Sequence, residues 1–267
     1  MIRWLNNLCL AGLFLAAPLA GATKVMVTVV DRSGAPVLGL GAQDFTVLDD
    51  KTPRAVEAAE FTHDMLDIMM LLDTSLAGGM VQPLAETFVA QLQPKDQMAV
   101  VAYHSSADLI QDFTSSRQLI MRSLASVKYG NQPHVLDALF AAIDGGFQNS
   151  VFRRVILLLT SGLEGDSRTN ERAVIRLARR NQVSIFPVYV VGAERSLLEQ
   201  LARETGGASF NFRDVRKASA GDAGPRVFEV LRSHYTLTVT GNLGLGEKLK
   251  VEVKRPEKLQ TSAMSLE

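Results

Sequence analysis

One cysteine in 267 residues cannot close a disulfide within the chain, and that cysteine, Cys9, sits in the first apolar run. The only tryptophan, Trp4, lies just before it. Both belong to a stretch that opens Met1-Ile2-Arg3-Trp4, continues through apolar Leu8 to Leu19 and closes with the small-x-small sequence Ala20-Gly21-Ala22. Residues 1–22 are therefore expected to be a secretory signal peptide. Its apolar part is shorter than the about 20 residues a membrane span needs, and Cys9 lacks the small residues that precede a lipoprotein cysteine. The mature chain then holds neither cysteine nor tryptophan, which excludes disulfide staples and thiol catalysis. An excess of one charge is also missing. Loss of Arg3 leaves 27 basic against 28 acidic residues, so no nucleic-acid partner is expected. About 245 residues are enough for one α/β domain and a small second unit.

Two kinds of pattern divide the mature chain. From Lys24 to Val30 apolar and β-branched residues alternate as in a strand, and Asp31-Arg32-Ser33-Gly34 supplies turn chemistry. Further strands are expected at Phe45 to Leu48 and around Ala55 to Phe61, with no helical period before Met65. The tail has the same character, with strands at His234 to Thr240 and Leu249 to Lys254 around the glycine-rich turn Gly241 to Gly246. Residues 23–64 and 234–267 are accordingly expected to pack as one discontinuous β-sandwich-like unit, since chain ends commonly lie close together.

Residues 65–233 alternate strand and helix, which implies a doubly wound, mostly parallel sheet with helices on both faces. Six strands are expected: Leu66 to Leu72, Met98 to His104, Asp108 to Phe113, Val155 to Thr160, Val183 to Val191 and Ala208 to Phe212. Helices are expected at Pro83 to Leu92, Arg117 to Val127, Val135 to Phe147, Asn170 to Asn181, Ser196 to Thr205 and Pro225 to Ser233. Ser196 has the position of an N-cap, and Gly206-Gly207 stops its helix. The run Leu66 to Leu72 leads straight into Asp73-Thr74-Ser75-Leu76-Ala77, which delivers a carboxylate and hydroxyls to the carboxyl end of the sheet, where open α/β folds bind ligands.

Asp73-x-Ser75 after a buried strand resembles the start of the metal-ion-dependent adhesion site of von Willebrand factor A domains. Other phrases resemble an exported bacterial "VWFA-related" branch of that family: Val29-Val30-Asp31-Arg32-Ser33-Gly34-Ala35-Pro36-Val37-Leu38-Gly39-Leu40, then Asp44-Phe45-Thr46-Val47, and later Leu201-Ala202-Arg203-Glu204-Thr205-Gly206-Gly207 and Tyr235-Thr236-Leu237-Thr238-Val239. The resemblance implies a VWA fold, a protein partner and a divalent cation held by oxygen ligands from three loops. Asp73 and Ser75 match those ligands, whereas Ala77 replaces the second serine, Pro133 with His134 beside it replaces the threonine, and Thr160-Ser161-Gly162 replaces Thr-Asp-Gly. With one carboxylate left, the site is expected to be vestigial, with magnesium held weakly or not at all unless Glu164 or Asp166 substitutes.

No cofactor and no catalytic residue are expected. The expectation is a secreted or periplasmic, non-enzymatic protein-binding module that uses the loop surface of Asp73, Ser75, His134, Ser161 and Glu164 to contact another protein of the envelope or extracellular space. Magnesium-dependent adhesion through Asp73 and Ser75 is one alternative. A serine hydrolase using Ser75 or Ser161 with His104 is another, although neither serine lies in a Gly-x-Ser-x-Gly elbow. Among other features, Gly241 to Lys248 reads as a hairpin turn rather than a phosphate loop. Arg153-Arg154, Arg179-Arg180 and Arg213 to Lys217 read as solvated element ends.

Overall fold

The computed structural model describes residues 21–218, 223–243 and 249–266. The expected signal peptide up to residue 20, with Trp4 and Cys9, lies outside the described residues, as does the second half of the turn expected at Gly241 to Gly246. The chain begins with β1 (Ala22–Val30), β2 (Phe45–Asp49), β3 (Thr52–Arg54) and β4 (Val56–His63). The alternating part follows: β5 (Leu66–Asp73), α1 (Gln82–Val89), β6 (Gln97–Tyr103), β7 (Ala107–Thr114), α2 (Arg117–Leu124) and α3 (Val135–Gly146). It continues through β8 (Arg153–Thr160), α4 (Glu171–Arg180), β9 (Val183–Tyr189), α5 (Arg195–Glu204), β10 (Phe210–Asn211), α6 (Phe212–Ala218) and α7 (Gly224–Arg232). The chain returns as β11 (Ser233–Thr240), β12 (Leu249–Val253) and β13 (Gln260–Ser265).

The fold is α/β. Its main sheet has six strands in the order β10-β9-β8-β5-β6-β7, and two smaller sheets run β13-β1-β11-β4 and β12-β2-β3. Central strand β5 is buried at all eight positions because helices cover both faces; its interior from Ile68 to Leu72 is apolar accordingly, and its two carboxylates, Asp67 and Asp73, lie near the ends. Helices α1, α2 and α7 pack residues such as Phe88, Ile120 and Phe228 against one face. Helices α3, α4 and α5 pack Leu139, Val174 and Leu201 against the other.

Strand β7 is antiparallel to β6, which makes the sheet mixed. Only three residues, His104 to Ser106, join the two strands, too few for the crossover a parallel pair requires. Several expected boundaries shift. The strand expected at Ala208 to Phe212 shortens to Phe210–Asn211, and the basic cluster Arg213 to Lys217 lies in helix α6. The stretch Ala55 to Phe61 belongs to β4, with β3 a separate short strand ahead of it, and β13 was not expected. Ser196 is inside α5 rather than capping it, since the N-cap position is Glu194. Asn170 does cap its helix, accepting from Ala173 N at 2.9 Å.

The smaller sheets join the two ends of the chain. Strand β1 pairs antiparallel with both β11 and β13, with Val25 opposite Leu237 on one side and Ser265 on the other. Tyr235 of β11 donates its hydroxyl to Val37 O at 2.9 Å and accepts from Leu40 N at 3.1 Å, which pins the Val37–Leu40 loop over a core of Val27, Phe45 and Leu237.

Buried charges fasten these layers. At the end of α7, Arg232 donates from Nη1 to Asp96 Oδ1 at 2.9 Å and from Nη2 to Oδ2. The same carboxylate accepts from Leu66 N at 3.1 Å and Gln93 N at 2.8 Å, so it has a partner on every side. Asp96 is fully buried and Arg232 nearly so. Asp96→Ala is expected to cost about 3–5 kcal/mol in urea unfolding, because it strands a buried guanidinium, whereas exposed Lys95→Ala should change stability by less than about 0.5 kcal/mol.

A second charged cluster is formed by Asp64, Arg153 and His234. Burial, then the Arg153 and His63 charges, push His234 down to about 3 from its ordinary 6.5. The unfolded chain therefore binds the extra proton between those values. Stability from this group is complete above about pH 6.5 and falls as the pH drops toward 3. Asp64, 3.5 Å away and pushed up by burial, opposes that trend. Urea midpoints measured from pH 7 to pH 4 should accordingly fall more steeply for the wild type than for His234→Gln; equal slopes would rule out a buried neutral imidazole.

Candidate functional site

At the carboxyl end of β5 the chain turns sharply, and Asp73 is fully buried beneath that turn. Its Oδ1 accepts from Ser75 N at 2.9 Å in its own loop, and its Oδ2 accepts from Ser161 N at 2.8 Å in the loop after β8. One carboxylate thus ties two loops together. Each loop also needs a glycine. A Cβ on Gly78 would lie 2.2 Å from Asp73 O, and one on Gly162 would lie 1.7 Å from Val191 O, where φ is also +92°.

The third loop, between α2 and α3, is held to the first by the backbone. Gly130 N donates to Thr74 O at 2.9 Å and Leu76 N to Asn131 O at 3.1 Å. Thr74 in turn donates through both N and Oγ1 to Tyr103 O. His134 occupies the N-cap position of α3 without making a side-chain cap. That task falls to Glu164, whose Oε2 accepts from Val135 N at 2.8 Å across the loops. Burial pushes the Glu164 carboxyl up, partly offset by hydrogen bonds from Ser167, Val135 and Leu136.

The expected site residues therefore come together as follows. Asp73, Ser75 and Ser161 share one hydrogen-bonded knot, while Glu164 and His134 lie at the neighbouring start of α3. Asp166 is exposed. The imidazole of His104 accepts from Ser105 N at 2.7 Å, and neither the Ser75 nor the Ser161 hydroxyl has a partner among the described residues. Among the described residues His104 makes no hydrogen bond to either serine hydroxyl, so the structure does not assemble the pair that the hydrolase alternative invokes.

Three buried oxygens near this knot, Ser75 Oγ, Ser161 Oγ and Glu164 Oε1, have no hydrogen-bond partner among the described residues, and the Tyr103 hydroxyl lies close by. Burial, then the Asp73 charge, push the Tyr103 phenol well above its usual range, so it stays protonated. Tyr129 is pushed up for the same two reasons. Around the knot the three loops expose apolar side chains: Leu76 at 82%, Met80 at 46%, Tyr129 at 38% and Leu163 at 37%. The sequence reading missed these residues and Tyr103. The available signal was an apolar residue directly after a motif position, Leu76 after Ser75 and Leu163 after Gly162.

The carboxylate's role as a knot has a measurable consequence. Asp73→Asn leaves one acceptor for two amide donors and is expected to lower the unfolding free energy by about 1–3 kcal/mol, equally in chelator and in magnesium. A loss seen only in magnesium would show that the carboxylate serves a cation instead.

A family model described as the von Willebrand factor type A domain matches residues 67–222. Among solved structures, proximal thread matrix protein 1 from the mussel byssus is similar in fold. Its form with a zinc-occupied MIDAS motif superposes with a TM-score of 0.57 at 18% identity, over 69% of this chain and 50% of that one. A second structure of the same mussel protein gives 0.54 at 18% identity over 75% and 51%. The chain thus spans about half the length of the mussel protein, and the likeness is one of fold. No curated protein sequence matches.

Proposed function

This chain belongs to the von Willebrand factor type A domain family, and from that premise we propose that it is an exported, non-catalytic module of the VWFA-related branch that binds another protein through the loop face above Asp73 without a metal ion. The observation that carries this reading is the apolar rim of Leu76, Met80, Tyr129 and Leu163 around a knot already satisfied by backbone amides. Exposed apolar residues gathered on one face mark interaction sites, and aromatic and aliphatic anchors supply most of the energy of such contacts. Export rests on the leader at residues 1–22, and placement in the periplasm or outside the cell follows from it. No helix among the described residues is long and apolar enough to cross a membrane. In this reading residues 65–233 form the binding domain, and the strands of 23–64 and 234–267 form its carrier.

The family's cation fits these residues poorly. Both Asp73 oxygens accept amides, and Ala77 and Pro133 bring no side-chain oxygen where ligands belong. In the loop after β8 Ser161 stands where the family has its carboxylate, and no cluster of three or more His, Cys, Asp or Glu suited to a metal exists among the described residues. Magnesium needs near-octahedral oxygens with at least one free carboxylate. A second reading, magnesium-dependent adhesion, draws on the unpartnered Ser75 Oγ, Ser161 Oγ and Glu164 Oε1 as ligands beside Asp73. A bound ion would supply an open position for a partner's carboxylate.

Affinity capture from an envelope fraction distinguishes the two. The purified protein should recover the same partner with and without chelator, and Leu76→Glu, at a strongly exposed position, should cut recovery by about fivefold or more without altering stability. Recovery that chelator abolishes and magnesium restores would favour the cation. Recovery indifferent to both Leu76→Glu and Leu163→Glu would remove this face from the interaction.

A further inference from the structure

A second site lies at the opposite, amino-terminal end of the sheet, and its chemistry differs from that of the loop face. A cavity of about 580 Å³ opens between the carboxyl end of α3 and strands β5, β6 and β7. That volume suits a small organic molecule, for which pockets run about 300–1,000 Å³. Its inner wall is apolar, formed by Met69, Val101 and Phe113. Its polar lining consists of Asp67, Asp112, the Gln97, Gln148 and Asn149 amides and Ser150, and none of the lining residues is basic.

Three features give this cavity one electrostatic sign. Asp67 is 3% exposed, and its Oδ2 accepts from the Ser150 hydroxyl, Val151 N and Phe152 N, yet its Oδ1 has no partner. Asp112 adds an exposed carboxylate at the rim. The third feature is α3 itself, a twelve-residue helix that ends here in Gly145-Gly146 with no basic residue in its last turn. A helix carboxyl terminus carries partial negative charge and favours cations; Gly145 leaves its backbone open to approach, while Gly146 packs against the Met69 side chain. A buried carboxylate oxygen without a donor is costly, and a protonated ligand would relieve that cost.

We propose that this cavity binds a small organic cation, a protonated amine or amidine on a hydrocarbon body. The charged end would sit toward Asp67, Asp112 and the end of α3, with the hydrocarbon against Met69 and Phe113. The proposal is independent of what the loop face binds.

Phenethylammonium and its neutral isostere 2-phenylethanol test it, titrated into the purified protein with methyl-labelled methionine and read at Met69 by NMR and in parallel by calorimetry. Phenethylammonium should shift Met69 saturably, and the alcohol should bind at least about tenfold more weakly. Asp112→Asn should weaken the amine several-fold and leave the alcohol unchanged. Gly145→Leu should weaken both several-fold, since Gly145 lines the cavity, a Cβ there meets nothing within 4 Å, and a leucine side chain would take up part of the space without disturbing the helix. Asp67→Asn should weaken the amine further, and the Asp112 and Gly145 variants decide the matter should Asp67→Asn not fold. Equal affinity for amine and alcohol would reduce the site to an apolar pocket and overturn the proposal. So would an absence of saturable binding, or binding that Gly145→Leu leaves undiminished.

Discussion

The Asp73 carboxylate lies under the mouth of the sheet and accepts one amide from each of two loops that are 86 positions apart in sequence, at Ser75 and Ser161. With both oxygens so engaged, the carboxylate needs no cation to be stable in its buried position, because amide donors compensate its desolvation. The geometry of the whole face follows from that knot. It sets where Ser75 and Ser161 lie, lets Leu76 and Leu163 point outward from the two turns, and forces glycine at positions 78 and 162 by bringing backbone against backbone.

The same device recurs at two other points where the central layer meets neighbouring segments. Asp67, at the other end of β5, gathers Ser150, Val151 and Phe152, while Asp96 gathers Leu66, Gln93 and Arg232. A chain without disulfides must hold its connections by other means, and here buried aspartates act as staples between an apolar strand and the segments around it. Each is expensive to bury and therefore effective only when fully bonded, which makes the single unpartnered oxygen of Asp67 conspicuous against its fully occupied counterpart Asp96.

A surface built on such a knot is suited to contact rather than to chemistry. Among the described residues at the mouth of the sheet, His104 is turned toward Ser105 and the Ser75 hydroxyl makes no hydrogen bond. Glu164, three residues beyond Ser161 where the family has its aspartate, spends one oxygen on the amino terminus of α3. The loss of ligand oxygens and the gain of an apolar rim are thus two sides of one arrangement, in which binding energy would come from desolvated hydrocarbon rather than from an ion bridge.

The order of strands and helices was legible in the sequence because period and length decide it: short apolar runs such as Ile68 to Leu72 and Val155 to Leu159 read as strands covered on both faces, and the residues between them repeat at helical spacing. The direction of β7 was within reach too, since a three-residue link cannot cross a sheet. Asp73 and Ser75 could be placed at the carboxyl end of a strand for the same reason. Other features depend on residues far apart in the chain and leave no periodic trace. The sequence could not tell that Glu164 would cap α3, that Asp73 would meet Ser161, or that Asp67 would end beside a cavity against the end of α3. Local pattern determines which element a residue joins, but hydrogen-bond partners and cavities arise only when separate elements pack, and packing is decided by the folded whole.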